Sequence, residues 1–122
     1  MKVLIVEDSK VVRQRLQDML AEQAGIDVVG TAETAQGAIT QLSSYSPEAV
    51  ILDLGLPEGN GFEVLQATQG LDPRPIVIVL TNFAFEQYRL LSLKLGADYF
   101  FDKSAEFEDA IAIVRALAVN QG

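Results

Sequence analysis

An α/β fold, with a parallel sheet covered by helices on both faces, is what this sequence predicts. Three observations carry that prediction. Five short apolar segments alternate with five segments of helical periodicity. The apolar segments are continuously hydrophobic rather than alternating, as strands buried on both faces are. Most of them run straight into a polar or charged residue followed by a turn, so side chains able to do chemistry are presented at strand ends.

Val3 to Val6 is the first strand and closes at Glu7-Asp8. Ser9 is placed to cap the next helix, where Val12, Leu16, Met19 and Leu20 recur at helical spacing while Arg13, Gln14, Gln17 and Asp18 take the other face. Gly25 ends that helix. Ile26 to Gly30 reads as a second strand, and Thr34 to Leu42 as a second helix with Ala35, Ala38, Ile39 and Leu42 inward. After a loop from Ser43 to Pro47, the third strand, Ala49 to Asp53, delivers a single carboxylate to its end. Pro57, Gly59 and Gly61 then turn the chain into a third helix from Phe62 to about Thr68. Gly70 to Pro75 breaks it. Ile76 to Leu80 is the purest apolar run and stops at Thr81-Asn82. A fourth helix runs from about Phe85 to Leu95 and is closed by Gly96. Tyr99-Phe100-Phe101 makes a fifth strand ending at Asp102-Lys103, and a last helix runs from about Ala105 to Val119.

With 122 residues, one compact domain is expected. The formal charge of -8, and only nine scattered Lys and Arg, argue against a nucleic-acid surface and favour basic partners or metal cations. The absence of cysteine and histidine excludes disulfides, thiolate or imidazole metal sites and the usual general base, and with them serine-protease and zinc-hydrolase chemistry. Met1-Lys2 leads directly into a strand and no apolar run approaches 18 residues, so neither a signal peptide nor a membrane span is expected. The expected location is the cytoplasm.

For five strands, the flavodoxin-like doubly wound order 2-1-3-4-5 sets strands 1, 3, 4 and 5 side by side with their carboxyl ends on one crevice. Glu7, Asp8, Asp53, Thr81 and Lys103 then converge. Alone, Asp53 reads equally well as a helix cap or turn former. Three carboxylates at one point do not, because each pair at ~4 Å and an effective dielectric near 20 costs about 4 kcal/mol, more than one lysine offsets. Hard oxygen ligands select magnesium, manganese or calcium, and the arrangement suits phosphate chemistry at an aspartate.

Four segments carry a resemblance: Val3-Leu4-Ile5-Val6-Glu7-Asp8-Ser9, then Ile51-Leu52-Asp53-Leu54-Gly55-Leu56-Pro57-Glu58-Gly59-Asn60-Gly61, then Val79-Leu80-Thr81-Asn82, then Gly96-Ala97-Asp98-Tyr99-Phe100-Phe101-Asp102-Lys103. In this order, over residues 2 to about 119, the sequence resembles the response-regulator receiver domains of bacterial two-component signalling. The resemblance implies that Asp53 takes a phosphoryl group from a phosphohistidine on a sensor histidine kinase or histidine phosphotransfer protein. It implies that Asp8 and Asp53 bind Mg2+, with Mn2+ as a substitute, that Glu7 acts largely through water, and that the main-chain carbonyl of Gly55 completes the ligands. It makes Lys103 and Thr81 the groups that neutralise and hydrogen-bond phosphoryl oxygens, and Phe100 a switch aromatic moving with Thr81. It also implies one receiver domain over residues 1–122 without an output domain, no independent substrate turnover, and signalling by contact or onward phosphorelay.

Two positions depart from the family pattern. Ser104 stands where many receivers carry a proline after a cis bond, so Lys103 reaches the site either through a strained cis peptide or by a trans path. Asn82 stands where a small residue is common, which predicts slow reaction with small phosphodonors. On a helical wheel, Ala84, Tyr88, Leu91 and Leu95 form the inward stripe of the fourth helix, leaving Phe85, Leu90 and Leu93 outside. In the last helix Phe107, Ala110, Val114 and Leu117 face inward, and Ala112, Ile113 and Ala116 do not. Those outward apolar residues predict a contact surface formed by helix 4, strand 5 and helix 5, for a downstream protein or a second copy of the chain. Two other classes stay open: a haloacid-dehalogenase-like phosphatase, which calls for an acid where Gly55 stands, and a receiver-like binding module that carries no phosphate.

Overall fold

The computed structural model describes residues 1–120, so the expected domain limit at Gly122 lies outside the described residues. Strands β1 (Lys2–Val6), β2 (Asp27–Ala32), β3 (Ala49–Leu52), β4 (Ile76–Thr81) and β5 (Tyr99–Asp102) alternate with helices α1 (Lys10–Ala21), α2 (Ala35–Tyr45), α3 (Gly61–Gln69), α4 (Glu86–Lys94) and α5 (Phe107–Asn120). All strand pairs are parallel and the sheet order is β2-β1-β3-β4-β5, the doubly wound, flavodoxin-like arrangement predicted.

Alternation along each strand builds two cores. Leu4, Val6, Val50, Leu52, Val77 and Val79 point to one face, where α2, α3 and α4 cover them with Ala38, Leu42, Val64, Leu65 and Tyr88. Val3, Ile5, Ala49, Ile51, Ile78 and Leu80 point to the other, against Leu16 and Leu20 of α1 and Ala110, Ile111 and Val114 of α5. Strand β3, central in the sheet, is buried at all four positions. Each aliphatic side chain removed from water in this way contributes roughly 1.5–3 kcal/mol.

Local chemistry sets the boundaries. Ser9, Thr34 and Asn60 cap α1, α2 and α3 by accepting main-chain N–H bonds from Val12, Gly37 and Glu63. Ser46 ends α2 in the left-handed region at φ 46°, ahead of Pro47. The second strand lies one to two residues later than its expected span and extends through Ala32, because it is an edge strand whose half-buried residues give a weak apolar signal.

The fourth helix differs from its expected face. It begins at Glu86, Ala84 is exposed, and Ser92 is its buried residue, while Leu91 is 39% exposed. In α5, Ile111 is buried, and Ile113 rests against the core rather than outside it. The last helix starts at Phe107, two residues later than expected, because Lys103 to Ala105 form a turn.

Candidate functional site

The ladder β1–β3–β4–β5 brings four strand ends together. Val6 pairs with Leu52, and the Asp53 N–H continues the ladder by donating to the Val6 carbonyl at 3.0 Å. Asp53 is thereby held at the carboxyl edge, 6% exposed. Glu7, one residue past β1, is 2% exposed, and its N–H donates to the Ala32 carbonyl at 2.9 Å. Asp8 is exposed.

Lys103 joins the two buried acids. Its Nζ donates to Glu7 Oε1 at 2.5 Å and to Asp53 Oδ2 at 2.8 Å. The second oxygen of each carboxylate accepts a main-chain N–H, Glu7 Oε2 from Ser9 at 3.0 Å and Asp53 Oδ1 from Gly55 at 3.2 Å. Burial pushes the Glu7 carboxyl above its ordinary value, against the opposing hydrogen bonds from Lys103 and Ser9. Burial works to lower the Lys103 ammonium, but the bonds to Asp53 and Glu7 outweigh it and hold the lysine above its ordinary value. Lys103 is a fixed cation.

Oxygens of Glu7, Asp8 and Asp53 lie within 4.8 Å of one another. The donor set is all carboxylate, with no histidine or cysteine in the chain, which suits Mg2+ or Mn2+ rather than softer ions. Glu7 and Asp53 are already partly neutralised by Lys103. Asp8 is in no ion pair among the described residues.

Thr81 is fully buried opposite Asp102 in the β4–β5 register. Its hydroxyl oxygen accepts the N–H of Phe83 at 3.1 Å, which leaves the hydroxyl proton free to be donated. Phe100 pairs with Val79, two residues back along both strands, and so shares Thr81's face of the sheet, half-buried against the α2–α4 core. Lys103 reaches the acids by a trans path: among the described residues the one cis peptide is Asp72–Pro73.

Sequence reasoning missed two residues here. Phe83 lays its ring over Gly55, where a Cβ would overlap the ring edge, and with Leu54, Leu56, Asn60, Phe62 and Tyr88 it lines a cavity of about 320 Å³ beside the acids. The available signal was a glycine two residues after Asp53 facing an aromatic two residues after Thr81. The other is Arg13, expected on the outward face of α1, whose side chain is only 13% exposed.

Residues 3–115 match the family model described as the response regulator receiver domain. The chain belongs to the response-regulator receiver family. Receiver domains of this family belong to two-component response regulators, are phosphorylated on aspartate and bind Mg2+ or Mn2+ at an acidic pocket. The uncharacterised transcriptional regulatory protein YhcZ of Bacillus subtilis is 32% identical over 111 residues, covering 91% of this chain and 52% of that protein. A protein-glutamate methylesterase/protein-glutamine glutaminase of Hydrogenovibrio crunogenus is 35% identical over 114 residues, covering 88% and 30%. The receiver thus spans about half of the first relative and under a third of the second. Among solved structures, the response regulator domain of Thermotoga maritima CheB superposes with TM-score 0.85 at 25% identity, covering 98% of this chain and 94% of that one. The Mn2+-bound response regulator Rcp1 gives TM-score 0.78 at 25% identity, covering 95% and 90%. No helix among the described residues is long and apolar enough to cross a membrane.

Proposed function

We propose that this receiver accepts a phosphoryl group on Asp53 from a phosphohistidine of a sensor histidine kinase or histidine phosphotransfer protein. The observation that carries the reading is the Asp53 carboxylate held between a fixed ammonium and two further acids at the ends of adjacent strands. Phosphoryl transfer needs positioning and charge stabilisation more than a base, which suits a chain without histidine.

An Asp53 carboxylate oxygen attacks phosphorus, the phosphorus–nitrogen bond of the donor imidazole breaks, and the acyl phosphate remains on the protein. Glu7, Asp8, Asp53 and the Gly55 carbonyl are the groups for Mg2+ or Mn2+, which supplies charge neutralisation for the transferring oxygens. Lys103 moves its hydrogen bond from Asp53 to a phosphoryl oxygen. Thr81 donates its free hydroxyl proton to another, and Phe100, on the same sheet face, turns inward behind it. Hydrolysis restores Asp53, so the chain turns over its own phosphoryl group and no independent substrate. Asn82, exposed after Thr81, slows small donors.

The output of the switch is the surface of α4, β5 and α5, where Phe85, Leu90, Leu91 and Leu93 are exposed. It serves a downstream protein, a second copy of the chain, or onward phosphorelay. The test is intact mass after incubation with Mg2+ and a small phosphodonor. Addition of one phosphoryl group to wild type and none to Asp53→Asn is expected; addition to both would move the acceptor elsewhere, and none to either after a partner kinase is supplied would leave a constitutive binding module.

A further inference from the structure

Arg13 makes contacts that a solvated helix residue does not need. Its Nη1 donates to two consecutive main-chain carbonyls, Glu7 at 2.9 Å and Asp8 at 3.0 Å, and its Nη2 pairs with Glu33 Oε1 at 2.9 Å. In an extended strand successive carbonyls point to opposite sides. Two that meet one nitrogen require the backbone to leave the strand at Glu7-Asp8, and the same bend lets neighbouring side chains, which would otherwise face opposite ways, both reach the cluster with Asp53. Among the described residues the only carboxylate that Arg13 pairs with is Glu33, beyond β2 and outside the cluster. The guanidinium thus ties α1 and the β2–α2 connection to the acid-bearing loop through its main chain, without consuming a metal-binding oxygen.

We propose that Arg13 is a positioning residue for the divalent cation: it straps the loop after β1 so that Glu7 and Asp8 present their carboxylates together before a cation arrives. The inference rests on the metal-dependent reading of the acid cluster. Its sign separates it from plain electrostatics. A guanidinium near a cation site repels the cation, so removing the charge alone tightens binding. Removing a strap that orients ligands weakens it, typically ten- to a hundredfold for partners of metal ligands.

The experiment is calorimetric titration of the unphosphorylated chain with Mg2+ alone, for wild type, Arg13→Met and Arg13→Lys, with circular dichroism as the check of folding. Arg13→Met is expected to bind about tenfold more weakly. Arg13→Lys keeps the charge but cannot reach both carbonyls and Glu33 at once, so it is expected to lie between the two, and it decides the matter if Arg13→Met fails to fold. Wild-type or tighter affinity in a folded variant, even with a lowered melting temperature, would overturn the positioning role and leave the metal centre standing. Failure of wild type itself to bind Mg2+ would overturn both.

Discussion

Gly61 is a buried glycine at the first turn of α3, where a Cβ would stand 2.5 Å from the Asp53 carbonyl oxygen and 2.6 Å from Leu54 Cα. Both obstacles are backbone and neither can yield without moving the end of the chain segment that carries Asp53. Gly61→Ala is therefore expected to destabilise the fold by about 1–3 kcal/mol in denaturant unfolding. Gly55→Ala meets only the edge of the Phe83 ring, which is 46% exposed and free to swing away, so its cost is expected to stay below about 1 kcal/mol. Equal losses would mean that the Phe83 ring is fixed. A second residue-scale prediction concerns acid titration beside Lys103. The Ser104 hydroxyl at 2.7 Å and its N–H at 2.9 Å both donate to Asp102 Oδ1 and hold that carboxyl below its ordinary value. In the window between the lowered and the ordinary value the unfolded chain binds more protons, so this stabilisation is present above the ordinary carboxylate range and disappears as pH falls through the lowered one. Ser104→Ala should move the Asp102 titration upward by NMR; an unmoved titration would assign the shift to something other than Ser104. At this scale the strand-end positions of Glu7, Asp8, Asp53, Thr81 and Lys103 were legible in the sequence, since each closes an apolar run directly or one residue on. Arg13 and Phe83 were not, because their roles depend on main-chain carbonyls and on a missing side chain, neither of which residue type reveals.

Among the helices, α4 is held least firmly. Its N-cap, Phe85, offers no side-chain hydrogen bond, its buried residue is Ser92, and the Ser92 Oγ is buried without a partner. An unsatisfied buried hydroxyl costs roughly 1–3 kcal/mol. Ser92→Ala should accordingly raise the melting temperature, and a fall would reveal a partner for the hydroxyl. The small buried residue also explains why the inward face of this helix was misread. In Leu90-Leu91-Ser92-Leu93 hydropathy selects a leucine for the core, whereas close approach to the sheet selects the serine, so the wheel turns by one position and Leu91 joins the exposed set. The continuously apolar strands and the Ser9-capped start of α1 were legible because pattern and cap agree there. Helix α1 stops at Ala21, ahead of the expected Gly25, and α2 runs on to Tyr45 through residues expected to be loop. Edge strand β2 and the start of α5 were displaced because burial is partial or a turn intervenes. The misreading enlarges the outward apolar face of α4 to Phe85, Leu90, Leu91 and Leu93. A charge introduced there by Leu93→Glu is expected to leave the melting temperature nearly unchanged while weakening association with a partner or second copy, measured by sedimentation of the phosphorylated protein. Unaltered association would remove α4 from the output surface.

The site exists only when the whole sheet does. Lys103 lies 96 residues from Glu7 and 50 from Asp53 along the chain, and contact among them needs β1, β3, β4 and β5 aligned in order. An unfolded chain does not bring Glu7 and Asp8 to Asp53, so a cation held by these three carboxylates together binds the folded state and stabilises it by mass action. At a concentration one hundred times its dissociation constant the gain is about 2.7 kcal/mol. For a domain of this size that corresponds to a rise of roughly 10 °C in melting temperature. Asp8 is the decisive position, since it carries the one carboxylate of the cluster that Lys103 does not touch. Without metal its charge only repels its neighbours, so Asp8→Asn is expected to melt above wild type; with Mg2+ the order reverses, because wild type gains the full shift and the variant little of it. A crossing of the two melting temperatures as Mg2+ is added would tie the acid cluster to the cation through the stability of the entire fold. Parallel rises in both proteins would remove Asp8 from the ligand set, and no rise in wild type would leave the three acids without a metal to hold.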